Sequence, residues 1–145
     1  MPLTISSEEF KQIYSKVPRL CLEVAIFTQD GLLLTRRAIP PHVGAWHTPG
    51  GGLLFGETLA QGVQRIAKVE LGVEVVPGEV AGYIEYPMTS DFFGHSISLV
   101  YYAELLSEDI KLDYQADAYQ FFKELPENMI PEMKNFFKAL PLKTK

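Results

Sequence analysis

The chain has 145 residues, of which 47% are hydrophobic and 21% charged, the balance of a globular protein rather than a disordered one. A formal net charge of −5 argues against a nucleic-acid partner, because the surface as a whole should repel a phosphate backbone. No apolar run approaches the roughly 20 residues that cross a bilayer, and a lone cysteine, Cys21, excludes an internal disulfide. We expect one cytoplasmic domain over residues 1–145, with no membrane or nucleic-acid partner.

The first third of the chain predicts one helix and two strands. Ser6 and Glu9 form a capping-box pattern, and the apolar residues that follow recur at helical spacing until Pro18. Residues 20–27 and 32–37 are typical of strands, and the glycine in the turn between them favours a hairpin. Two prolines and a glycine in residues 38–44 predict a loop that overhangs any site.

The rest of the chain alternates irregularly between helix and strand patterns. Three glycines at 50–52 lead into a predicted helix over 57–71, which Gly72 ends. Further strands are predicted at 73–76, 80–86, 95–105 and 118–122, with a loop at 87–94 and a closing amphipathic helix over 129–140. The expected fold class is therefore α/β or α+β, a mixed sheet sandwiched between α-helices.

The most informative stretch reads Gly51-x5-Glu57-x7-Arg65-Ile66-Ala67-Lys68-Val69-Glu70-Leu71-Gly72-Val73. It resembles the Nudix box, G-x5-E-x7-R-E-U-x-E-E-x-G-U with U aliphatic, and six fixed positions are in register. Ile66 and Val69 stand where the family has glutamates. The resemblance implies a Nudix fold and a metal-dependent hydrolase of the MutT-like kind, acting on a small nucleoside-diphosphate derivative.

A glycine-rich loop running into a helix suits a diphosphate, because glycines let the backbone approach a ligand and helix N-termini favour anions. Positions 66, 69 and 70 are three and four residues apart and should share a helix face, where a complete box presents several carboxylates to metal. Only Glu70 is acidic here. A cluster of two or three metals is therefore disfavoured, and the expected cofactor is one Mg²⁺ or Mn²⁺.

The altered box is similar to that of the GDP-mannose mannosyl hydrolases, which also have aliphatic or small residues at these two positions and keep the last glutamate. The resemblance implies that the metal ligands are Glu70, the main-chain carbonyl of Gly50 and the side chain of Gln115. It further implies a nucleotide sugar as substrate, a substrate contact by Arg37, and an N-terminal helix that serves a homodimer.

Substrate contacts are also expected at Gly51, within the loop, and at Arg65. Arg65 either contacts a phosphate or pairs with Glu57 or Glu70 to orient the loop and helix. Arg37 follows Arg36 at a strand end, where alternation sends the two side chains to opposite faces, so that one of them can reach a phosphate.

The general base is open, because Ala116 stands where the similar branch has its proposed base histidine, and Gly52 where it has a substrate-binding arginine. The candidates, in order, are His95, Glu23 and Asp117. Histidine side chains ordinarily titrate near neutral pH. Glu23 would need burial to raise its pKa, which its apolar neighbours could supply, and Asp117 should point away from the side of Ala116.

Three classes of function are open: a hydrolase, a catalytically impaired domain that binds nucleotides or regulates, and a structural module. The third leaves the spacing of Glu57, Arg65 and Glu70 without a reason. If water attacks a sugar carbon, one Lewis-acid metal suffices to stabilise the leaving diphosphate. Attack at phosphorus also requires water activated close to the metal. The two missing glutamates favour attack at carbon.

Overall fold

The computed structural model describes residues 5–88 and 94–140. Its helices are α1 (Ser7–Tyr14), α2 (Leu59–Leu71) and α3 (Pro131–Ala139). Its strands are β1 (Arg19–Ala25), β2 (Phe27–Thr28), β3 (Gly31–Arg37), β4 (Trp46–His47), β5 (Gly50–Gly52), β6 (Val75–Glu85), β7 (Ser96–Leu105) and β8 (Ala116–Phe122). Within these described ranges, no helix combines the length and apolar character that a bilayer crossing requires.

The strands form two four-stranded sheets. In the first the order is β5-β1-β7-β6, with β1 and β7 parallel and the outer strands antiparallel to their neighbours. In the second, β3 pairs antiparallel with β2 and β4 and also with β8. The mixed α+β fold is therefore confirmed, with the strands divided between two sheets.

Alternation along β1 supplies both layers of the core. Leu22 and Val24 belong to a buried cluster that includes Ile66 of α2, whereas Ala25 belongs to a second cluster with Met133 and Phe137 of α3. Successive residues of a strand point to opposite faces, so β1 faces α2 on one side and α3 on the other. Glu23, a polar residue within the buried part of β1, is consequently enclosed between elements rather than placed at the surface.

Helix α2 begins two residues later than its sequence pattern predicts. Thr58 and Gln61 form a capping box, with hydrogen bonds of 3.1 and 2.9 Å, so Glu57 lies before the cap. The helix ends where Gly72 adopts a left-handed conformation with φ of 66°, as its position predicts. Its buried face carries apolar residues and one acid, Glu70.

Several strand boundaries differ from the sequence pattern. The two strands expected on either side of Pro77 form the single strand β6, which absorbs the break as irregularities of register between Pro77 and Gly82. The short strands β4 and β5 were not expected. In β8, Arg37 pairs with Ala116 and Arg36 with Ala118, so that Asp117 is an extra, bulged residue. The loop expected at 87–94 lies largely outside the described residues.

Candidate active site

Glu70 is a buried acid near the end of α2, with only 7% of its surface exposed. The main-chain N–H of Gly50 donates a hydrogen bond to its carboxylate. Burial raises the pKa of Glu70 to about 8, the negative charges of Glu23 and Asp113 act in the same direction, and the Gly50 hydrogen bond and Arg37 oppose them. A bound cation would relieve this concentration of negative charge.

Gly50 lies on β5, at the edge of the first sheet, opposite Glu23 of β1. Hydrogen bonds from Val24 N to the Pro49 carbonyl and from Leu53 N to the Leu20 carbonyl identify the bonded pairs of this ladder. Bonded and non-bonded pairs alternate in an antiparallel ladder, so the N–H and carbonyl of Gly50 both point away from β1. The N–H meets Glu70, and the carbonyl is directed out of the sheet, where it could serve as a metal ligand.

Glu23 is buried directly beneath Gly50, at 8% exposure. Its carboxylate accepts hydrogen bonds from the hydroxyls of Thr48 at 3.0 Å, Ser98 at 2.8 Å and Tyr86 at 3.4 Å. Burial raises its pKa to about 7, although these hydroxyls and Arg37 act in the opposite direction. A carboxyl group poised near neutrality can both release and accept a proton at physiological pH.

The absence of a side chain at Gly50 allows this close approach. A Cβ atom at position 50 would overlap the Glu23 carboxylate and would lie 2.8 Å from the Leu22 carbonyl oxygen. The glycine is therefore required by packing against Glu23, independently of any ligand.

Arg37 brings a positive charge to the same region, since it acts on both Glu23 and Glu70. Its guanidinium donates hydrogen bonds to the carbonyls of Pro40, at 3.2 Å, and Pro41 in the following loop. Arg36 points the other way and forms an ion pair with Asp117 at 2.8 Å. The alternation expected from sequence thus directs Arg37 to the site and Arg36 to the surface.

Gln115 lies just before β8 and is held at both its main chain and its side chain. Its carbonyl accepts a hydrogen bond from Ala38 N at 2.9 Å. Asp113 accepts hydrogen bonds from Gln115 N at 3.0 Å and from Gln115 Nε2 at 2.8 Å. Lys111 N bonds the Leu71 carbonyl at 2.8 Å, which attaches this loop to the end of α2 beside Glu70.

Arg65 closes the other end of the glycine-rich loop. Its Nε and Nη2 bond both carboxylate oxygens of Glu57, at 2.6 and 3.1 Å, and Nη2 also bonds the Gly52 carbonyl at 2.8 Å. Only 2% of the Glu57 side chain is exposed. Burial opposes ionisation of Glu57, but Arg65 and the Leu54 N–H outweigh it and hold the pKa of this carboxyl below its ordinary value. Of the partners considered for Arg65, the structure shows Glu57.

A NUDIX domain model matches residues 19–140. The chain belongs to the Nudix family.

The chain is also similar to two named relatives and to a solved structure. The chain is 28% identical to the low-salt glycan biosynthesis protein Agl8 of Haloferax volcanii, over 94% of this chain and 90% of that protein. It is 29% identical to the ADP-ribose pyrophosphatase of Methanocaldococcus jannaschii, over 72% of this chain and 62% of that protein. The MutT protein of Methanosarcina mazei Go1 superposes with a TM-score of 0.74 at 26% identity, covering 85% of this chain and 92% of that one.

The two altered positions of the Nudix box have different surroundings. Ile66 is 1% exposed and belongs to the core beneath α2, whereas Val69 is 52% exposed. Gly51, expected to contact substrate, faces the same core, since a Cβ there would lie 3.9 Å from Ile66 Cγ1. Within residues 5–88 and 94–140, no three His, Cys, Asp or Glu side chains are grouped to hold a metal. A Nudix metal in this chain would thus need main-chain or amide oxygens.

His95, the first candidate base, lies away from Glu23 and Glu70. Its carbonyl accepts a hydrogen bond from Arg19 N at 2.8 Å, at the start of the β1–β7 pairing. Glu23 lies further along the same pairing, opposite Val100. Five residues of strand separate His95 from Val100, about 16 Å at the usual rise per residue. Glu23 lies beside Gly50 and Glu70 instead, while Asp117 is engaged by Arg36 at the surface.

A cavity of about 430 Å³ lies further along the same face of β1. Phe27, Tyr102, Glu79 and Glu104 are among the residues that line it, and none of the predicted site residues does. The candidate active site and this cavity are therefore separate features of the Nudix domain.

Sequence reasoning missed the residues that support Glu23 and Gln115. Thr48, Ser98 and Tyr86 come from three different parts of the chain, and no local spacing connects them to Glu23. Asp113 carried a weak signal, since an aspartate two residues before Gln115 can accept a hydrogen bond from its main chain.

Proposed function

We propose that this Nudix protein hydrolyses a nucleoside-diphosphate-linked substrate, a nucleotide sugar, with the help of one Mg²⁺ or Mn²⁺. The observation that carries the proposal is the buried carboxylate of Glu70, held by the N–H of Gly50 at the sheet edge beside two further acids. Buried acids whose pKa is raised by burial and by neighbouring charges are concentrated at functional sites, and Glu70 within the box and Glu23 beside it are two such acids.

The residues present fit a hard divalent cation. Carboxylate, carbonyl and amide oxygens are its preferred ligands, and Glu70, the Gly50 carbonyl and the Gln115 side chain offer one of each. The negative charges of Glu23 and Asp113 near Glu70 favour the binding of a cation and disfavour the binding of a diphosphate without one. When bound, the ion would neutralise charge on the substrate diphosphate.

Arg37 and Glu23 would supply the remaining chemistry. Arg37 adds positive charge for the diphosphate and is fixed by the carbonyls of Pro40 and Pro41. Glu23 would accept a proton from water as the water oxygen bonds to the sugar carbon, and the bond from that carbon to the diphosphate oxygen breaks. Because Glu23 lies beside Gly50 and Glu70, we place it before His95 as the base.

The names of the relatives support two variants of this reaction. The glycan-biosynthesis name of the Haloferax protein favours a sugar-linked substrate, which agrees with the resemblance to the mannosyl hydrolases. The pyrophosphatase name of the Methanocaldococcus protein favours cleavage between phosphorus atoms. The reaction at carbon releases a nucleoside diphosphate and a free sugar, whereas cleavage of the diphosphate releases a nucleoside monophosphate and a sugar phosphate.

The deciding experiment is a screen of nucleotide sugars and ADP-ribose with Mg²⁺ and Mn²⁺ in ¹⁸O-labelled water. We expect the label in the free sugar. Label in a phosphate product would move the attack to phosphorus, and thermal stabilisation by nucleotides without turnover would support the impaired, nucleotide-binding alternative.

Variants in the same screen test the assigned residues. Glu70→Gln should weaken Mn²⁺ binding by about tenfold or more, since it removes a charged ligand. Val69→Gln, one residue away on the same helix and exposed, is the matched control. Glu23→Gln should lower kcat by roughly 10²-fold. A comparable loss in His95→Ala with full activity in Glu23→Gln would restore His95 as the base.

We also retain a cytoplasmic location and a homodimer as proposals. In the described part of the chain α1 buries none of its own side chains, and Ile13 and Val17 are 40% and 47% exposed. Light scattering on the purified protein, and on Ile13→Ser/Val17→Ser, would show whether this surface joins two copies.

A further inference from the structure

Asp113 lies in the loop between β7 and β8, outside the Nudix box. We propose that Asp113 is a positioning residue that turns the Gln115 side chain so that its amide oxygen, and not its NH₂ group, faces the ion. The proposal rests on the metal site proposed above and specifies how one of its ligands is oriented.

The two carboxylate oxygens of Asp113 have separate tasks. Oδ1 accepts a hydrogen bond from Gln115 N at 3.0 Å, and Oδ2 accepts one from Gln115 Nε2 at 2.8 Å. An ionised carboxylate can only accept, so the opposite orientation of the Gln115 amide would set two oxygens against each other. Asp113 therefore fixes Nε2 on its own side and directs Oε1 away from itself.

Main-chain hydrogen bonds attach the loop that carries Gln115 to the residue after β3 and to the end of α2, near Glu70. Ala38 N bonds the Gln115 carbonyl at 2.9 Å, and Lys111 N bonds the Leu71 carbonyl at 2.8 Å. The second contact places the loop on the residue that follows Glu70. Asp113 is close enough for its charge to act on Glu70. It thus brings negative charge to a region where Ile66 and Val69 bring none.

A residue that orients a metal ligand is expected to matter almost as much as the ligand, and its loss typically costs 10- to 100-fold in metal affinity. A purely local role for Asp113 is the competing explanation, because an aspartate that bonds the N–H two residues later also stabilises a turn. If Asp113 orients the Gln115 side chain, a second substitution at position 115 can restore the metal affinity that the loss of Asp113 removes. If Asp113 only stabilises the turn, that second substitution cannot restore it.

The test is a charge-conserving exchange of the two side chains. In Asp113→Asn, one oxygen can still bond Gln115 N, but the new NH₂ group faces Nε2 and favours a flipped amide. Adding Gln115→Glu restores an acceptor opposite that NH₂ group, and the second carboxylate oxygen of Glu can then face the ion. Asp109→Asn is the matched control, since Asp109 is exposed in the same loop and pairs with Lys111 at 3.7 Å.

Free Mn²⁺ measured by electron paramagnetic resonance gives the affinity of each full-length variant without reference to turnover. We expect Asp113→Asn to bind Mn²⁺ about tenfold more weakly than the wild type, and Asp113→Asn/Gln115→Glu to return to within about twofold. Asp109→Asn should be unchanged. Equal affinities in Asp113→Asn and Asp109→Asn, or no recovery in the double variant, would overturn the proposal.

Glu70→Gln in the same titration separates this inference from the proposed function. A wild type that binds no Mn²⁺, or binds it as Glu70→Gln does, overturns both the metal site and the role of Asp113. Weaker binding in Glu70→Gln with normal binding in Asp113→Asn overturns only the role of Asp113. Thermal unfolding without metal checks the turn separately. Asp113→Asn and Asp113→Asn/Gln115→Glu carry the same change at position 113, so a turn defect would lower both melting midpoints alike. Similar midpoints together with recovered Mn²⁺ affinity in the double variant would show that the recovery is not a repair of the turn.

Discussion

The two ends of helix α2 treat their acidic residues in opposite ways. At the N-terminal end, Arg65 neutralises Glu57 through two hydrogen bonds and ties it to the Gly52 carbonyl. At the C-terminal end, Glu70 is buried near Glu23 and Asp113, which are also acidic, and its pKa is raised to about 8. An acid paired with an arginine keeps its charge, and removing its partner destabilises the fold. A buried acid that lacks such a partner has a raised pKa and is a candidate for binding a cation or a proton. One motif of the sequence thus contains a structural clamp, the Arg65–Glu57 pair, and a candidate metal ligand, Glu70.

The largest expected effect on the free energy of unfolding comes from a charged substitution on the buried face of α2, between these two ends. Ile66→Glu would put a carboxylate into the core beneath α2 and should destabilise the protein by about 4 kcal/mol or more. Val69→Glu, at a residue 52% exposed, should change stability by about 0.5 kcal/mol or less. Urea unfolding of both variants measures the difference. Similar losses in the two would mean that the helix faces are wrongly assigned.

The next effect tests the clamp itself. Arg65→Ala leaves the Glu57 carboxylate without its partner, but Arg65 is itself 30% exposed and its loss lets water reach the carboxylate, so the expected cost is about 2 to 3 kcal/mol. Arg36→Ala breaks the exposed pair with Asp117 and should cost about 1 kcal/mol or less. Urea unfolding provides both values. A small loss in Arg65→Ala, together with a large loss of substrate affinity, would instead assign Arg65 to phosphate binding.

The smallest change, counted per pH unit, is expected in the pH dependence of the stability of the metal-free protein. Glu70 and Glu23 have pKa values of about 8 and about 7 in the folded state, against 4.5 as the ordinary value. Between these limits the two carboxyls of the folded state hold up to two protons that the unfolded chain has lost. Buried His47, whose pKa is lowered to about 4, gives up one proton that the unfolded chain keeps below its ordinary pKa of 6.5. The folded state still binds more protons, so stability should fall as pH rises from about 4.5 to 8, most steeply near pH 6.5. Each such proton contributes a slope of at most about 1.4 kcal/mol per pH unit.

Thermal unfolding across this range checks the sign. Glu70→Gln should flatten the curve, because glutamine carries no titrating proton, and saturating Mn²⁺ should reverse it, because the ion binds the ionised carboxylate. A stability that rises with pH in the metal-free wild type would contradict the prediction.

Features coded by neighbouring residues were predictable from the sequence. The helical spacing and the terminal glycine of α2 act within a few residues of each other, so its existence and its end at Gly72 followed from pattern, whereas its start was placed two residues too early because the Thr58–Gln61 capping box was not identified. Strand β5 did not, because three glycines have no alternation of side chains and pair only through the main chain. The single sheet that the pattern suggested became two because strand pairing is decided by tertiary contacts.

The same distinction applies to the site. Glu70, Gly50 and Arg37 were proposed through a motif and a resemblance and Glu23 as a candidate base, and the structure places Glu23 near the other three. The choice of Glu57 over Glu70 as the partner of Arg65 depends on where the helix begins, which sequence places less accurately than it places the helix itself. The roles of Asp113, Thr48 and Ser98 arise only when separate segments meet.

The bulge at Asp117 has a consequence for how this chain could change in evolution. Ala116 pairs with Arg37 and Ala118 with Arg36, and directly opposite residues of an antiparallel ladder share a face of the sheet, so the segment before the bulge keeps the phase of a regular ladder. Deleting Asp117 would therefore leave Ala116 opposite Arg37 and would remove only the exposed ion pair with Arg36. A single codon lost there should alter the surface of β8 without displacing Gln115 from the candidate site.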